Sequence, residues 1–126
     1  MPANKQTIDI QALAPDCTLK KTAELTPFQF KVLRVCCKIP KGKVATYGDL
    51  AKTLGCRSAQ AIGQALRRNP FAPHVPCHRV VNQALQLNGF EGRKDNAALN
   101  KKAKLLKAEG VKFLGNGRID PACYID

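Results

Sequence analysis

Apolar positions recur at helical spacing in four places along the chain, and each run is bracketed by start and stop signals. The first is announced by Thr26-Pro27-Phe28-Gln29. Thr26 suits an N-cap, Pro27 the first helical position, and Gln29 the closing residue of a capping box. Phe28, Val32, Val35 and Cys36 follow at i, i+4, i+7 and i+8 and predict the buried face, with Lys31, Arg34 and Lys38 turned away. Ile39-Pro40 ends this helix, and Lys41-Gly42-Lys43 turns the chain. A second helix starts at Thr46, with Asp49 as its capping-box partner, a short Leu50, Ala51, Leu54 stripe and Gly55 as the stop. Ser58 caps a third. Its core face is Ile62, Ala65 and Leu66, its polar flank Gln60, Gln64, Arg67 and Arg68, and its stop Asn69-Pro70. The fourth covers about residues 96–109, with Leu99, Ala103 and Leu106 inward, Lys101, Lys102, Lys104 and Lys107 outward, and Gly110 at its end.

The remaining segments carry weaker signals. Residues 1–25 read as a short irregular arm with one strand around Thr7–Leu13, ahead of a domain covering residues 26–126. Phe71 to Val81 reads as loop and short extended chain punctuated by Pro73 and Pro76. Asn82 to Gly92 is a loop with Asn88-Gly89 as a turn signal, and Val111–Leu114 is a candidate strand. A chain of 126 residues, 44% apolar and 24% charged, has the size and composition of one globular domain. No stretch approaches the roughly 20 apolar residues of a membrane span, and Met1–Thr7 lacks an apolar secretory core. A soluble, unsecreted, mainly helical domain with a minor β component is expected.

Charge narrows the partner. The formal net charge is +12, and residues 1–30, with three bases and three acids, contribute none of it. Between Lys31 and Val80 there are ten bases and one acid, Asp49. Such density favours a polyanion, of which nucleic acid is the commonest, over a merely soluble basic surface. An anionic membrane fits less well, because the bases do not oppose a wide apolar helix face. Six cysteines (17, 36, 37, 56, 77 and 123) could suggest a disulfide framework. The missing secretion signal and the basic middle argue instead for reduced thiols, and no Cys/His spacing suits zinc.

Two short helices joined by a Gly-containing turn make a helix-turn-helix pattern. A plain helical hairpin looks the same; the basic flank of the second helix favours DNA. Ala59, Ala61 and Gly63 leave that helix small-sided, so its backbone could approach a groove closely. Pro76-Cys77-His78-Arg79-Val80-Val81 carries the chemistry. A thiol beside a histidine in a basic domain is a candidate nucleophile, although a lone cysteine is more often a small buried hydrophobe. Neighbours on an extended strand face opposite ways, so either the backbone turns sharply at Cys77 or a water carries the proton to His78. A histidine base needs an orienting partner, and spacing does not choose among Glu91, Glu109 and none.

The segment Pro76–Val81 resembles the active-site signature of the O6-alkylguanine-DNA alkyltransferases, the methylated-DNA–protein-cysteine methyltransferases. Thr26-Pro27-Phe28-Gln29, Ile39-Pro40-Lys41-Gly42, Thr46-Tyr47-Gly48-Asp49-Leu50-Ala51, Ala61-Ile62-Gly63, Arg68-Asn69-Pro70 and Leu105–Gly110 are similar to that family in the same order, over residues 26 to about 114. The resemblance implies a winged helix-turn-helix-like domain that binds double-stranded DNA through the minor groove as a monomer, without cofactor or metal. It also implies an intracellular setting, nuclear or cytoplasmic, or nucleoid-associated in a bacterium. Cys77 would take the alkyl group from O6 of guanine and keep it, so each molecule acts once. His78 would receive the thiol proton through a water, Glu109 would hold His78, and Asn69 would position the segment. Tyr47 would donate to guanine N3 and help extrude the nucleotide, and the carbonyls of Cys77 and Val80 would accept from the guanine amino group. Arg57, Ala59, Gln60, Gly63 and Arg67 would lie against DNA, and Phe90 would pack on the alkyl group. Extrusion is physically required, because a stacked base cannot present O6 to a sulfur.

Three departures from the family pattern stand out. Gln60 occupies the position where an arginine usually fills the gap left by the extruded base. Only about 25 residues precede Thr26, where relatives carry a further domain that holds zinc when zinc is present. The substrate loop reads Asn88-Gly89-Phe90-Glu91-Gly92, with an acid beside DNA. Two other readings compete. Alkyltransferase-like proteins bind alkylated DNA without repairing it and replace the reactive cysteine, which this chain keeps. A non-catalytic helix-turn-helix regulator leaves Tyr47, Asn69, His78 and Glu109 unexplained.

Overall fold

Local hydrogen bonds fix where the helices start in this computed structural model, which describes residues 5–71, 74–87, 96–115 and 117–125. Thr26 Oγ1 accepts from Gln29 N at 3.1 Å and Gln29 Oε1 accepts from Thr26 N at 2.8 Å, opening α1 (Pro27–Cys36) on a reciprocal capping box. Thr46 and Asp49 repeat the arrangement at α2 (Tyr47–Thr53), with bonds of 3.1 and 2.9 Å. Ser58 Oγ accepts from Ala61 N at 3.0 Å and starts α3 (Ala59–Arg67). The fourth helix, α4 (Asn96–Ala108), closes on two crossed bonds, Gly110 N to Lys107 O and Val111 N to Leu106 O, both 3.0 Å. Gly110 takes φ +92°, the left-handed conformation this closure needs, and Glu109 is left at the helix C-cap.

The faces differ from the expected ones in two helices. In α1 the buried set is Val32, Leu33 and Cys36, while Phe28 is 37% exposed and Val35 half-buried. The helix packs against α2 and α3 and also against the N-terminal strands, which turns Leu33 inward. In α4 the buried residues are Ala98, Lys102 and Leu106; Leu99 and Ala103 are half-buried. The expectation that Lys102 faces solvent is therefore wrong. Its four-carbon stem fills the core position and its Nζ donates to Val80 O at 2.8 Å, which answers the buried ammonium.

Residues 5–25 are more ordered than an irregular arm. The strands β1 (Gln6–Asp9) and β2 (Thr22–Leu25) pair antiparallel, Gln6 opposite Leu25 and Asp9 opposite Thr22. Between them Asp9 caps a 3-10 turn, Ile10–Ala12, so the expected strand to Leu13 stops at Asp9. Ile10, Leu13 and Leu25 join the main core with Val32, Leu33, Ile62, Phe71 and Val75. Two-residue strands β3 (Ala45–Thr46) and β4 (Val80–Val81) run parallel, Ala45 opposite Val80 and Thr46 opposite Val81. A smaller core of Val44, Val81, Leu85, Leu106, Val111, Ile119 and Cys123 lies on that side. The strand expected at residues 111–114 is reduced to a single bridge, Phe113 to Ile119. Among the described residues, four helices with two small sheets make an α+β domain, helical in the main.

Lys102 gives a test of this packing. Burial holds its ammonium well down, at about 8, against the pull of nearby Cys77 and Cys36. Between pH 8 and the ordinary lysine value the unfolded chain binds a proton that the folded chain has released, so this group's contribution to stability rises with pH. Lys102→Met should lie within about 2 kcal/mol of the wild type at pH 7, and the comparison should move toward the wild type as pH rises to 10. Lys102→Ala should cost more than about 2 kcal/mol at either pH. Urea unfolding across that pH range checks both.

Candidate active site

The chain resolves the problem at Cys77 by turning. Cys77–Arg79 form a single 3-10 turn immediately before β4, with Arg79 N donating to Pro76 O at 3.0 Å and Cys77 N to Val75 O at 2.8 Å. Asn69, just past the end of α3, ties this turn to the helix. Its Oδ1 accepts from Phe71 N at 2.9 Å and its Nδ2 donates to Val75 O at 3.0 Å, the carbonyl that also receives Cys77 N. Cys77 is 7% exposed and packs in the main core.

Behind the thiol sits a buried charged cluster. His78 is 2% exposed, and its Nε2 lies 3.1 Å from Glu109 Oε2 without the N–H being aligned on that oxygen. Its Nδ1 is buried with no hydrogen-bond partner among the described residues. Glu109 also receives both arms of Arg79, Nε to Oε1 at 2.9 Å and Nη2 to Oε2 at 2.7 Å. The remaining arm, Nη1, donates to Ile39 O at 2.8 Å. Such a fork is stronger and more directional than a single charged bond. Gly42 completes the enclosure: at φ +85°, a Cβ there would stand 3.0 Å from Glu109 O. The sequence reading passed over Arg79, although it stands inside the signature segment. Only its alternation of neighbours hinted that it faces a different way from His78.

The cluster sets the protonation states. Burial is the main force holding His78 below the ordinary histidine range; Glu109 works against it, while Arg79 and Lys102 add to it. Burial raises Glu109, but the two bonds from Arg79 and the close approach of His78 outweigh this and keep it a carboxylate. The thiols of Cys36 and Cys37 are pushed up by burial, Cys37 to about 11, and both stay protonated near neutrality. Tyr47, the first residue of α2, is pushed up to about 12 by burial and by the nearby Cys77 and Cys36, so its phenol keeps its proton.

The expected DNA-contacting residues form a second group. Ala59, Gln60, Gly63 and Arg67 share one stripe of α3, alongside the buried face of Ile62, Ala65 and Leu66. Ala59, Gln60 and Arg67 are exposed, as is Arg57 in the preceding turn. Gly63 faces Tyr47: a Cβ there would sit at an ordinary 3.9 Å from the ring, so the fold itself leaves room for one. Both carbonyls expected to face guanine already have an internal partner, Cys77 O from Val80 N and Val80 O from Lys102 Nζ. Each keeps a second lone pair. Phe90 and Glu91 lie outside the described residues; among the described residues no three metal-ligating side chains converge.

His78 and His74 are the chain's two histidines, so proton NMR can follow each imidazole. His78 should titrate below the usual 6.5, and Glu109→Gln, which removes the anion favouring imidazolium, should lower it further. Stability linked to His78 is complete above 6.5 and falls as pH drops through its lowered folded value. An upward shift in Glu109→Gln would contradict the arrangement.

Comparison with known proteins bears on this geometry. A family model described as 6-O-methylguanine DNA methyltransferase, DNA binding domain, matches residues 27–111. The methylated-DNA–protein-cysteine methyltransferase of Saccharolobus solfataricus is 43% identical over 87 residues, covering 69% of this chain and 53% of that protein. The chain thus spans about half the length of the curated relatives it matches. Among solved structures, Mycobacterium tuberculosis OGT in complex with DNA aligns at a TM-score of 0.62 and 33% identity, over 79% of this chain and 62% of that one. Schizosaccharomyces pombe Atl1, solved with damaged DNA containing O6-carboxymethylguanine, aligns at 0.65 and 31% identity, over 79% of this chain and 94% of Atl1. The cysteine turn, its buried histidine–glutamate pair and the helix-turn-helix beside them therefore sit in a chain that belongs to the 6-O-methylguanine DNA methyltransferase family.

Proposed function

We propose that this chain repairs double-stranded DNA directly, moving an alkyl group from O6 of guanine onto Cys77 in a single turnover. The observation that carries the reading is the buried Cys77 turn backed by His78 and Glu109 and tied by Asn69 to the end of α3. In the proposed step His78 takes the thiol proton at Nδ1 through an intervening water. The thiolate attacks the alkyl carbon, the carbon–O6 bond breaks, and its electron pair returns to the base. The proton ends on guanine, and Cys77 ends as a thioether. A neutral His78 at pH 7 suits an acceptor of that proton. With Cys36 and Cys37 held as thiols, the attack falls to Cys77.

In this reading the protein acts as a monomer whose α3 enters the minor groove of the DNA, in whichever compartment holds that DNA. Tyr47, kept protonated, donates to guanine N3, and the second lone pairs of the Cys77 and Val80 carbonyls take the guanine amino group. Asn69 holds the turn. Arg57 and Arg67 meet phosphate, and Gln60 fills the stack, giving up the charge an arginine would bring. Phe90 contacts the alkyl group. A second reading, recognition of the lesion without transfer, is favoured by the match to nearly the whole of Atl1; retention of Cys77 stands against it.

Intact-mass spectrometry after mixing the protein with duplex DNA containing one O6-methylguanine decides between the two. Transfer predicts a stoichiometric methyl gain mapping to Cys77 and absent in Cys77→Ala; tight binding with no gain establishes the second reading. Gly63→Ala tests the groove approach. It should fold at least as stably as the wild type, gaining up to about 1 kcal/mol of helix propensity, while its affinity for duplex DNA drops at least about tenfold. Unchanged affinity would remove α3's backbone from the interface. Gln60→Arg should speed transfer, and equal rates would show that the residue does not limit extrusion.

A further inference from the structure

Residues 112–125 lie beyond the family match, yet they reach back to the start of α2. Val44 pairs with Tyr124 in a parallel bridge, with Val44 N donating to Cys123 O at 2.8 Å and Ile125 N to Val44 O at 3.0 Å. Lys43 Nζ donates to Ala122 O at 3.0 Å, and Ile119 and Cys123 are buried in the smaller core. This segment delivers one side chain to the helix cap. Tyr124 Oη donates to the Asp49 carboxylate, 2.7 and 2.6 Å from its two oxygens. Asp49 is the residue whose Oδ2 accepts from Thr46 N and whose N donates to Thr46 Oγ1, so Tyr124 grips the capping box from outside. The first helical residue after that box is Tyr47. Tyr47, Asp49 and Tyr124 line one cleft of about 750 Å³ together with Ala59 at the start of α3 and Arg118.

From this we infer that Tyr124 is a positioning residue for lesion recognition: by clamping Asp49 it fixes the α2 N-terminus and with it the orientation of Tyr47. The inference rests on the proposed contact between Tyr47 and an extruded guanine. A phenol–carboxylate bond is charge-assisted and short, and it spans 75 residues of sequence. It makes the tilt of a seven-residue helix depend on a segment outside the residues that the family model matches. Asp49 carries the mark of the clamp. Burial raises its carboxyl, and the bonds from Tyr124 and Thr46 reverse that and hold it below the ordinary aspartate value.

A double-mutant cycle tests this, in a Cys77→Ala background so that equilibrium binding is read whether or not transfer occurs. The measured quantity is the ratio of affinities for a duplex with one O6-methylguanine and the same duplex with guanine. Tyr124→Phe keeps the ring and the backbone bridge and removes only the hydroxyl. It should lower the ratio about tenfold when Tyr47 is present and less than about twofold when Tyr47 is alanine. An equal effect in both backgrounds, or none in either, overturns the inference and leaves the proposed function standing. A parent chain that binds both duplexes equally overturns lesion recognition, and this inference with it. Circular dichroism verifies that each variant folds. If Tyr124→Phe does not, Asp49→Asn, which keeps the shape of the cap and removes the charge that the phenol answers, goes through the same cycle with the same expected pattern.

Discussion

The site depends on a parallel ladder only two residues long. Ala45 lies opposite Val80 and Thr46 opposite Val81, with Thr46 as the cap of α2 and Val80 as the residue after the cysteine turn. Tyr47 therefore begins one residue past one strand, and Arg79 ends one residue before the other. Two strands this short would not hold in water on their own. They hold here because Val44, Ala45, Val80 and Val81 are all fully buried and because the neighbouring segments are pinned. Lys102 pins Val80 through its carbonyl, and Asn69 pins the approach to Cys77. A parallel pair fixes relative direction as well as distance, so the Cys77 turn and Tyr47 cannot swing independently.

Glu109 provides the second constraint, and it works through charge. Glu109 is half-buried, and a carboxylate partly withdrawn from water needs a cation close by. Arg79 meets that demand with a two-armed fork and spends its last arm on Ile39 O, so α4, the cysteine turn and the chain leaving α1 are joined at one carboxylate. Gly42 is the residue that lets the loop come this close. The same pairing moderates His78. A carboxylate serving the imidazole alone would favour imidazolium strongly, but one shared with a guanidinium does so less, and burial then keeps the ring neutral. The arginine thus tunes the histidine without touching it.

What could be read from the sequence divides along the same line, local against distant. Both capping boxes, the Ser58 cap and the Gly110 stop were legible because every partner lies within a turn of the residue it serves. The buried face of α3 was legible too, since Ile62, Ala65 and Leu66 face a single neighbour set. β2 was not, because the polar–apolar alternation of Thr22–Leu25 lasts only four residues and becomes a strand only opposite β1. Lys102 defeats any hydropathy pattern: it reads as solvent-facing until Val80 O appears 22 residues away. Residue spacing left Glu91, Glu109 and no partner open for His78; the family resemblance chose Glu109, and the 3.1 Å contact shows the two side chains together. The fork from Arg79 was invisible on either route, since an arginine beside a histidine carries no sign of where its carboxylate will come from.

The distribution of cations around the thiols bears on why one cysteine in six would react. Arg79 and Lys102 both lie near Cys36, and both pull its thiol toward ionisation, yet burial wins and the proton stays. Positive charge alone therefore does not make a nucleophile in this core. Cys77 has a different backbone setting. It opens a 3-10 turn whose next residue is a neutral imidazole, and it is 7% exposed where Cys36 is sealed. A group that must lose a proton and meet a substrate needs an acceptor and an opening, and of this pair only Cys77 has both. The cost of maintaining that opening falls on the short turn at Cys77, which the side chains of Asn69 and Arg79 hold on either side. A turn fixed by Asn69 on one side and by Arg79 on the other can stay ordered while leaving one sulfur within reach.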